Sequence, residues 1–451
     1  MNYTRIHSLI IAAILMLSSE LMAKVSQEEA AKLGGELTPI GAISAASSDG
    51  TIPKWTGGYN DPSGYTDMGE LKDPYPDDKI LFTITSQNAD QYKDKISAGQ
   101  YAMLKRYPSW KMNVYTTRRT AGFTEDVVQA LKTNALNAEL TSDGNGVTNS
   151  TMTCPFPIPK NGLEIAWNIN LLYSVNYQMD YIYGAPTPSG NYEAVRVTRN
   201  CWSYPYCQKG ATTASVDNIL WKTIMTFRSP PIEDGRMRLL IEHIDQDKDV
   251  RFGWVFLPNA KAVRRTPDYQ FDSPTPSTGN QLWSDMIIGM MGSPEKYDWK
   301  LIGKKEMYVP YNNYRITNRS LKYSELILPG HLNSDYLRYE LHRVWVVEAT
   351  LKAGQTHICP KKTLYVDEDS YIPVVFDYYN SGSTLWRVAE FYDPLDYVSK
   401  GFSSKLAGYY DLLDGRYAFY QLRNNEAAPI KRGMNFPDTL FTPATLSAQG
   451  M

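Results

Sequence analysis

The side chains best suited to chemistry in this chain are few and widely spread. Glu340 and His342 stand two apart in the strand-forming run Tyr339–Leu351, so both project to one face with the spacing of paired metal ligands. A hydrogen bond within a sheet accounts for the same spacing. Asp367, Glu368 and Asp369 form a second acidic group in a stretch that reads as a hairpin turn, where Asp is favoured by its own backbone bonding. Neither the glycine nor the distal glutamate of a calcium loop accompanies them. His243, His331, His342 and His357 are singletons outside any HExxH pair, and no GxSxG nucleophile elbow occurs. These residues define no catalytic site, no metal centre and no cofactor site, so the chain is expected not to be an enzyme.

Cys154, Cys201, Cys207 and Cys359 are an even set with no CxxC spacing, which favours disulfides over a metal. Spacing alone permits three pairings. Cys201 and Cys207 flank the short loop Trp-Ser-Tyr-Pro-Tyr, so a local staple is the simplest choice, leaving Cys154 and Cys359 for a long-range bridge. A bridge of that span would constrain the unfolded chain by roughly 4–5 kcal/mol.

The elements that must position these groups fall into zones. Arg5 and His7 precede the apolar run Leu9–Leu17, and Leu21-Met22-Ala23 offers a small residue for cleavage. The run is far shorter than the ~20 residues of a spanning helix, so Met1–Ala23 reads as a signal peptide cut after Ala23, and the periplasm is the expected destination. Lys24 to about Thr153 is a helical, loop-rich N-terminal extension. It contains the long Gly- and Pro-rich loop Thr38–Tyr75, a helical stripe over Asp90–Tyr107 and a helix opening at Thr124. Cys154-Pro-Phe-Pro-Ile-Pro159 is a non-helical hinge, and Asn161 with Glu164 has the form of a capping box. From Cys154 to Met451 the chain is read as a β domain whose strands include Glu193–Thr198, Trp221–Phe227, Met237–Ile244, Phe252–Leu257, Trp299–Tyr308, Tyr339–Leu351, Thr363–Val366, Tyr371–Tyr379, Leu385–Phe391 and Tyr417–Leu422. Short connections imply an antiparallel meander, and so many strands in series must curl to manage their edges. The expected fold is mostly β with helices: a strongly curved antiparallel sheet, or incomplete barrel, lidded by helices.

Several strands carry apolar residues on both faces, as expected of a sheet covered by helices on one side and facing a lumen on the other. Trp254, Phe256, Trp345, Val347, Ile372, Val374, Phe376 and Trp386 are the expected walls of that lumen. The 33 tyrosines and 10 tryptophans fit half-buried pleated surfaces and equally an aromatic-lined cavity. A formal net charge of −2 provides no general attraction for nucleic acid. Lys261, Arg264 and Arg265 cluster as on a solvated strand edge or a surface for anionic headgroups.

Longer motifs are familiar. Phe156-Pro-Ile-Pro-Lys-Asn-Gly-Leu163, Tyr297-Asp-Trp-Lys-Leu301, Gly303-Lys-Lys-Glu-Met-Tyr-Val-Pro310, Tyr339-Glu-Leu-His-Arg-Val-Trp-Val-Val-Glu-Ala349 and Tyr365-Val-Asp-Glu-Asp-Ser370 resemble a large family of exported proteobacterial proteins of unknown function. Its members are often labelled outer-membrane lipoprotein-sorting proteins. The resemblance implies a fold similar to the lipoprotein carriers LolA and LolB, with an apolar cavity under a helical lid. It also implies association with a resistance-nodulation-division-type inner-membrane transporter and an outer-membrane β-barrel protein. The combined expectation is a periplasmic carrier or chaperone for a lipid, a lipoprotein or another acyl-bearing ligand. An envelope hydrolase acting on lipid or glycan, using Glu340, His342 or Asp367–Asp369, and a glycan-binding or structural protein are the alternatives.

Overall fold

Apolar–polar alternation converts into sixteen strands of one sheet in the computed structural model, which describes residues 25–266, 270–287, 290–402 and 405–450. The expected signal peptide lies outside the described residues. In chain order the strands are β1 (Phe82–Ile84), β2 (Met112–Val114), β3 (Tyr177–Gly184), β4 (Val195–Ser203), β5 (Ile219–Phe227), β6 (Met237–His243), β7 (Phe252–Leu257) and β8 (Ala262–Arg265). They continue with β9 (Tyr297–Pro310), β10 (Tyr339–Leu351), β11 (Lys361–Asp367), β12 (Pro373–Tyr379), β13 (Leu385–Phe391), β14 (Ala407–Asp411), β15 (Tyr417–Leu422) and β16 (Lys431–Arg432). Two antiparallel meanders, β3–β8 and β10–β15, are joined where β15 pairs with β3. β9 pairs with β10, and β2 meets β10 in parallel at Val114 and Tyr339, so strands of the N-terminal zone extend the same sheet. The sheet is large, curved and mixed, and it does not close into a barrel.

The faces divide the core. Trp345, Val347 and Ala349 of β10 enter one apolar cluster, while Leu341 and Val344 enter the other. Three longer helices pack on these faces: α1 (Ala98–Arg106), α2 (Glu125–Asn137) and α3 (Gly162–Asn170). The eight-residue α4 (Pro443–Gly450) covers the β6–β8 edge. Thr124 caps α2, its Oγ1 accepting from Val127 N, and Asn161 caps α3, its Oδ1 accepting from Glu164 N at 2.9 Å. No helix of the described residues is long and apolar enough to cross a membrane.

The helical stripe expected over Asp90–Tyr107 is broken. Ser97 and Gln100 form a reciprocal capping box, which starts α1 afresh after the short 3-10 segment Ala89–Lys95. Asp377 of β12 then accepts from Ser97 Oγ at 2.9 Å and Gly99 N at 3.0 Å, fixing the helix start to the sheet. The long N-terminal loop lies against the proline hinge so closely that a Cβ on Gly41 would sit 1.7 Å from the Pro157 carbonyl oxygen; with φ at +92° only glycine suits the position.

Candidate functional site

The aromatic cavity of the molecule arises where β3–β6 bend. Register shifts interrupt β3 after Met179, β4 after Thr198 and β5 after Ile219, and each bulge adds local twist to the sheet. Trp221, Thr223, Met225 and Phe227 alternate along β5 and face the hollow so formed, beside Tyr181 and Tyr183 of β3, Trp202 of β4, Leu240 of β6 and Tyr420 of β15. The segment 270–287 lies over them, contributing Thr275, Leu282, Ser284 and Ile287, with Met291 beyond.

That covering segment is clamped from beneath. Arg251, itself ion-paired with Glu242 and fully buried, donates to Ser284 Oγ at 2.8 Å. Arg387 of β13 donates to Gln281 Oε1 at 3.1 Å, and Asp285 meets His357 Nε2 at 3.2 Å. Burial pushes the Asp285 carboxyl up, but His357, Lys362 and a backbone hydrogen bond together outweigh it and the net direction is down. The enclosed free volume is about 50 Å³. A cavity beneath Trp202 and Trp221, of about 20 Å³, adjoins it. Ligand pockets span roughly 300–1,000 Å³, so the hollow is far smaller than a ligand-sized pocket. Two larger clefts, of about 660 and 830 Å³, are lined by mixed polar and apolar side chains away from this hollow.

The eight expected wall residues do not share one face. Trp345, Val347, Phe376 and Trp386 belong to the same apolar cluster as the hollow, Ile372 lies between the two clusters, and none of the eight lines the hollow itself. Val374 enters the opposite cluster because the β11–β12 register skips it: Tyr365 pairs with Val375 and Val366 with Pro373. Trp254 and Phe256 face α4, where Gly450 packs on the Phe256 ring. Side-chain period within each strand was legible; the bulges that reassign a residue's face, and the segment that covers it, were not.

Neither expected disulfide is formed. All four cysteines are buried free thiols. Cys201 points from β4 into the cluster under α4, whereas Cys207, on the turn after β4, packs into the large cluster on the other side. Cys154 donates to the Asn168 carbonyl and Cys359 to that of Lys361, so these two also engage separate partners. Burial raises the Cys201 and Cys359 thiols to about 11 and Cys207 to about 12.

The acidic groups converge in a network of ion pairs and hydrogen bonds. Glu340 is fully buried and accepts from Arg338 Nε at 2.6 Å, the Arg118 amide at 2.6 Å, Asn312 Nδ2 at 2.9 Å and His342 Nε2 at 3.0 Å. His342 stacks on Tyr311, ring centroids 3.6 Å apart. His342, Asp367 and Asp369 bring one ligand atom each within 4.8 Å of one another, but Arg119 holds both oxygens of Asp369. Glu368 accepts from the Ile43 amide and Lys304. Burial first, and then Asp369, raise the Asp367 carboxyl to about 7. The group is a largely buried ion-pair network that pins residues 43–53 to the β11–β12 hairpin. The sequence is read as free of an SxxK nucleophile spacing, yet Ser293-Pro-Glu-Lys296 has that form; in the structure Ser293 donates to Asn145 Oδ1 and Lys296 pairs with Asp272.

Comparison with known proteins supplies the family. The uncharacterized protein PA3922 of Pseudomonas aeruginosa is 39% identical over 444 residues, 98% of this chain and 97% of the relative. A DUF1329 family protein from Desulfovibrio piger is similar in structure at 14% identity and a TM-score of 0.41, over 63% of this chain and 97% of its own. A LolA superfamily protein from Nitrosomonas europaea gives a TM-score of 0.36 at 14% identity, over 63% and 98% of the two chains. The pattern described as "Protein of unknown function (DUF1329)" matches residues 83–447, and the chain belongs to that family.

Proposed function

We propose that the protein is a carrier that shelters an acyl-bearing ligand, a lipid or the lipid anchor of a lipoprotein, in the hollow between β3–β6 and the segment 270–287. The observation that carries this reading is the composition of the hollow: Tyr181, Trp202, Trp221, Met225, Phe227, Leu240, Leu282 and Met291 converge beneath a separately clamped cover. Aromatic and thioether side chains adapt to irregular apolar ligands and need no catalytic group to bind them. Trp345, Val347, Phe376 and Trp386 supply apolar support in the same cluster. Burial of an acyl chain contributes ~0.8 kcal/mol per methylene, enough for affinity after the cover has moved.

In this reading Met1–Ala23 directs export to the periplasm. There the carrier receives or delivers its ligand between an inner-membrane transporter of the resistance-nodulation-division type and an outer-membrane β-barrel protein. The deciding measurement is solvent extraction and mass spectrometry of protein purified from periplasm without detergent. Stoichiometric acyl compound is the expected result. An empty protein that also takes up no lipid on exposure would overturn the reading.

A further inference from the structure

Lys405 is 2% exposed, at the far end of the small cavity that adjoins the aromatic hollow. Its Nζ lies 3.7 Å from the centre of the Trp202 ring. It donates to the hydroxyls of Tyr204 at 3.1 Å and Tyr177 at 3.3 Å. Among the described residues no carboxylate forms an ion pair with it; Asp393 is the one opposite charge that acts on it, from farther off. A buried ammonium satisfied only by a ring face and two neutral hydroxyls keeps much of its desolvation cost. Lys362, the other lysine this deep among the described residues, also lies over a ring, Tyr297 at 4.3 Å, but has a carboxylate, Asp285, at 4.0 Å.

The cavity beside Lys405, about 20 Å³, has room for about one water-sized polar group, so a carboxylate or phosphate head enters it only together with the opening that admits the tail. Its walls include Trp202, Trp221 and Met291, which also line the aromatic hollow. The two spaces therefore share three apolar side chains; Lys405 lines only the smaller, while the larger, with Arg238 as its one cation, is walled mainly by aromatic and aliphatic side chains. That is the polarity of an anionic amphiphile in negative. The hydroxyls of Tyr177 and Tyr204 can turn their protons toward an incoming oxyanion while Nζ keeps its charge-assisted bond.

We infer that Lys405, flanked by Tyr177 and Tyr204, anchors the anionic head of a single-chain amphiphile whose tail occupies the hollow between β3–β6 and the segment 270–287. The inference rests on the carrier reading and adds a ligand class to it. Carboxylate and phosphate heads share the chemistry that Lys405 recognises.

The test uses the full exported chain, stripped of bound lipid, with three probes of equal chain length: palmitate, palmitoyl lysophosphatidic acid and hexadecanol. Binding is read at about pH 7 by displacement of a fluorescent acyl probe. At least one anionic probe is expected to bind about tenfold or more tighter than hexadecanol, a difference of about 1.4 kcal/mol. The tighter of the two anions identifies a free acid or a phospholipid-derived source. Lys405→Met should erase the preference while leaving hexadecanol binding in place, and Tyr204→Phe should reduce it. Equal binding of all three probes by the unaltered protein, or a preference that survives in a folded Lys405→Met variant, would overturn the assignment. The Tyr204→Phe and unaltered-protein comparisons decide the matter should Lys405→Met fail to fold. Failure of every probe to bind, hexadecanol included, would instead count against the carrier reading.

Discussion

Arg119 grips both carboxylate oxygens of Asp369, at 2.9 and 2.6 Å, across a separation of 250 residues. The same guanidinium donates to the carbonyls of Ile43, Ser44 and Pro53, so one buried side chain ties the N-terminal loop to the β11–β12 turn. Arg119→Met leaves a buried carboxylate without its partner and is expected to cost about 3–5 kcal/mol, measured by urea denaturation. Limited proteolysis should then cut first within residues 43–53. Adding Asp369→Asn should recover part of the loss, because the uncompensated charge is gone.

Lys405 is a stability liability as well as an anchor. Burial pulls its amine down to about 7, with Asp393 acting the other way. A depressed lysine is charged more readily unfolded than folded between about pH 7 and its ordinary value near 10.4, so its contribution to stability grows as pH rises through that window and is lost as pH falls through about 7. In the unliganded protein Lys405→Met is expected to raise the melting temperature at neutral pH and to flatten its rise between about pH 7 and 10. A variant with an unchanged pH slope would sink this account.

Asp377 works in the opposite direction. Burial raises its carboxyl to about 6, while Ser97 and the amides at the start of α1 pull it down; Oδ2 is buried with no hydrogen-bond partner. A raised carboxyl gives stability that is present below the unfolded value near 4 and is lost as pH climbs through about 6. Asp377→Asn should remove that decline between about pH 4 and 6, seen as a flatter plot of denaturation midpoint against pH.

The hollow is small enough to be filled by one side chain. Met225 lies on its wall, 7% exposed. Met225→Trp should occupy the space at a cost of about 1–3 kcal/mol in overpacking. Uptake of a fluorescent acyl probe should fall about tenfold or more, while circular dichroism at room temperature stays that of the unaltered protein. Undiminished uptake would move the ligand elsewhere.

Much of the fold was legible in local pattern. Phe252–Leu257, Tyr339–Leu351, Leu385–Phe391 and Tyr417–Leu422 are strands with the bounds that their alternation predicts. Thr124 and Asn161 cap the helices expected of them, since capping depends on residues three or four apart. Ala407–Asp411 was not legible: Ala-Gly-Tyr-Tyr-Asp has no alternation to read, because all five residues are buried. Tyr177–Gly184 was hidden in the same way by the shift after Met179, which breaks its period.

The sequence by itself determined the architecture: a mostly β chain with capped helices, a glycine- and proline-rich N-terminal loop, and abundant aromatic side chains. These follow from interactions between near neighbours along the chain, and near neighbours are what a sequence displays. Only the tertiary structure decided which aromatics face one another. Trp202, Trp221 and Tyr420 meet across strands that are distant in sequence, and bulges move Val374 off the face its neighbours share. It also decided that Lys405 is buried against Trp202. Burial, register and ion pairing depend on what the rest of the chain places opposite a residue, and that is set by packing between segments far apart in sequence.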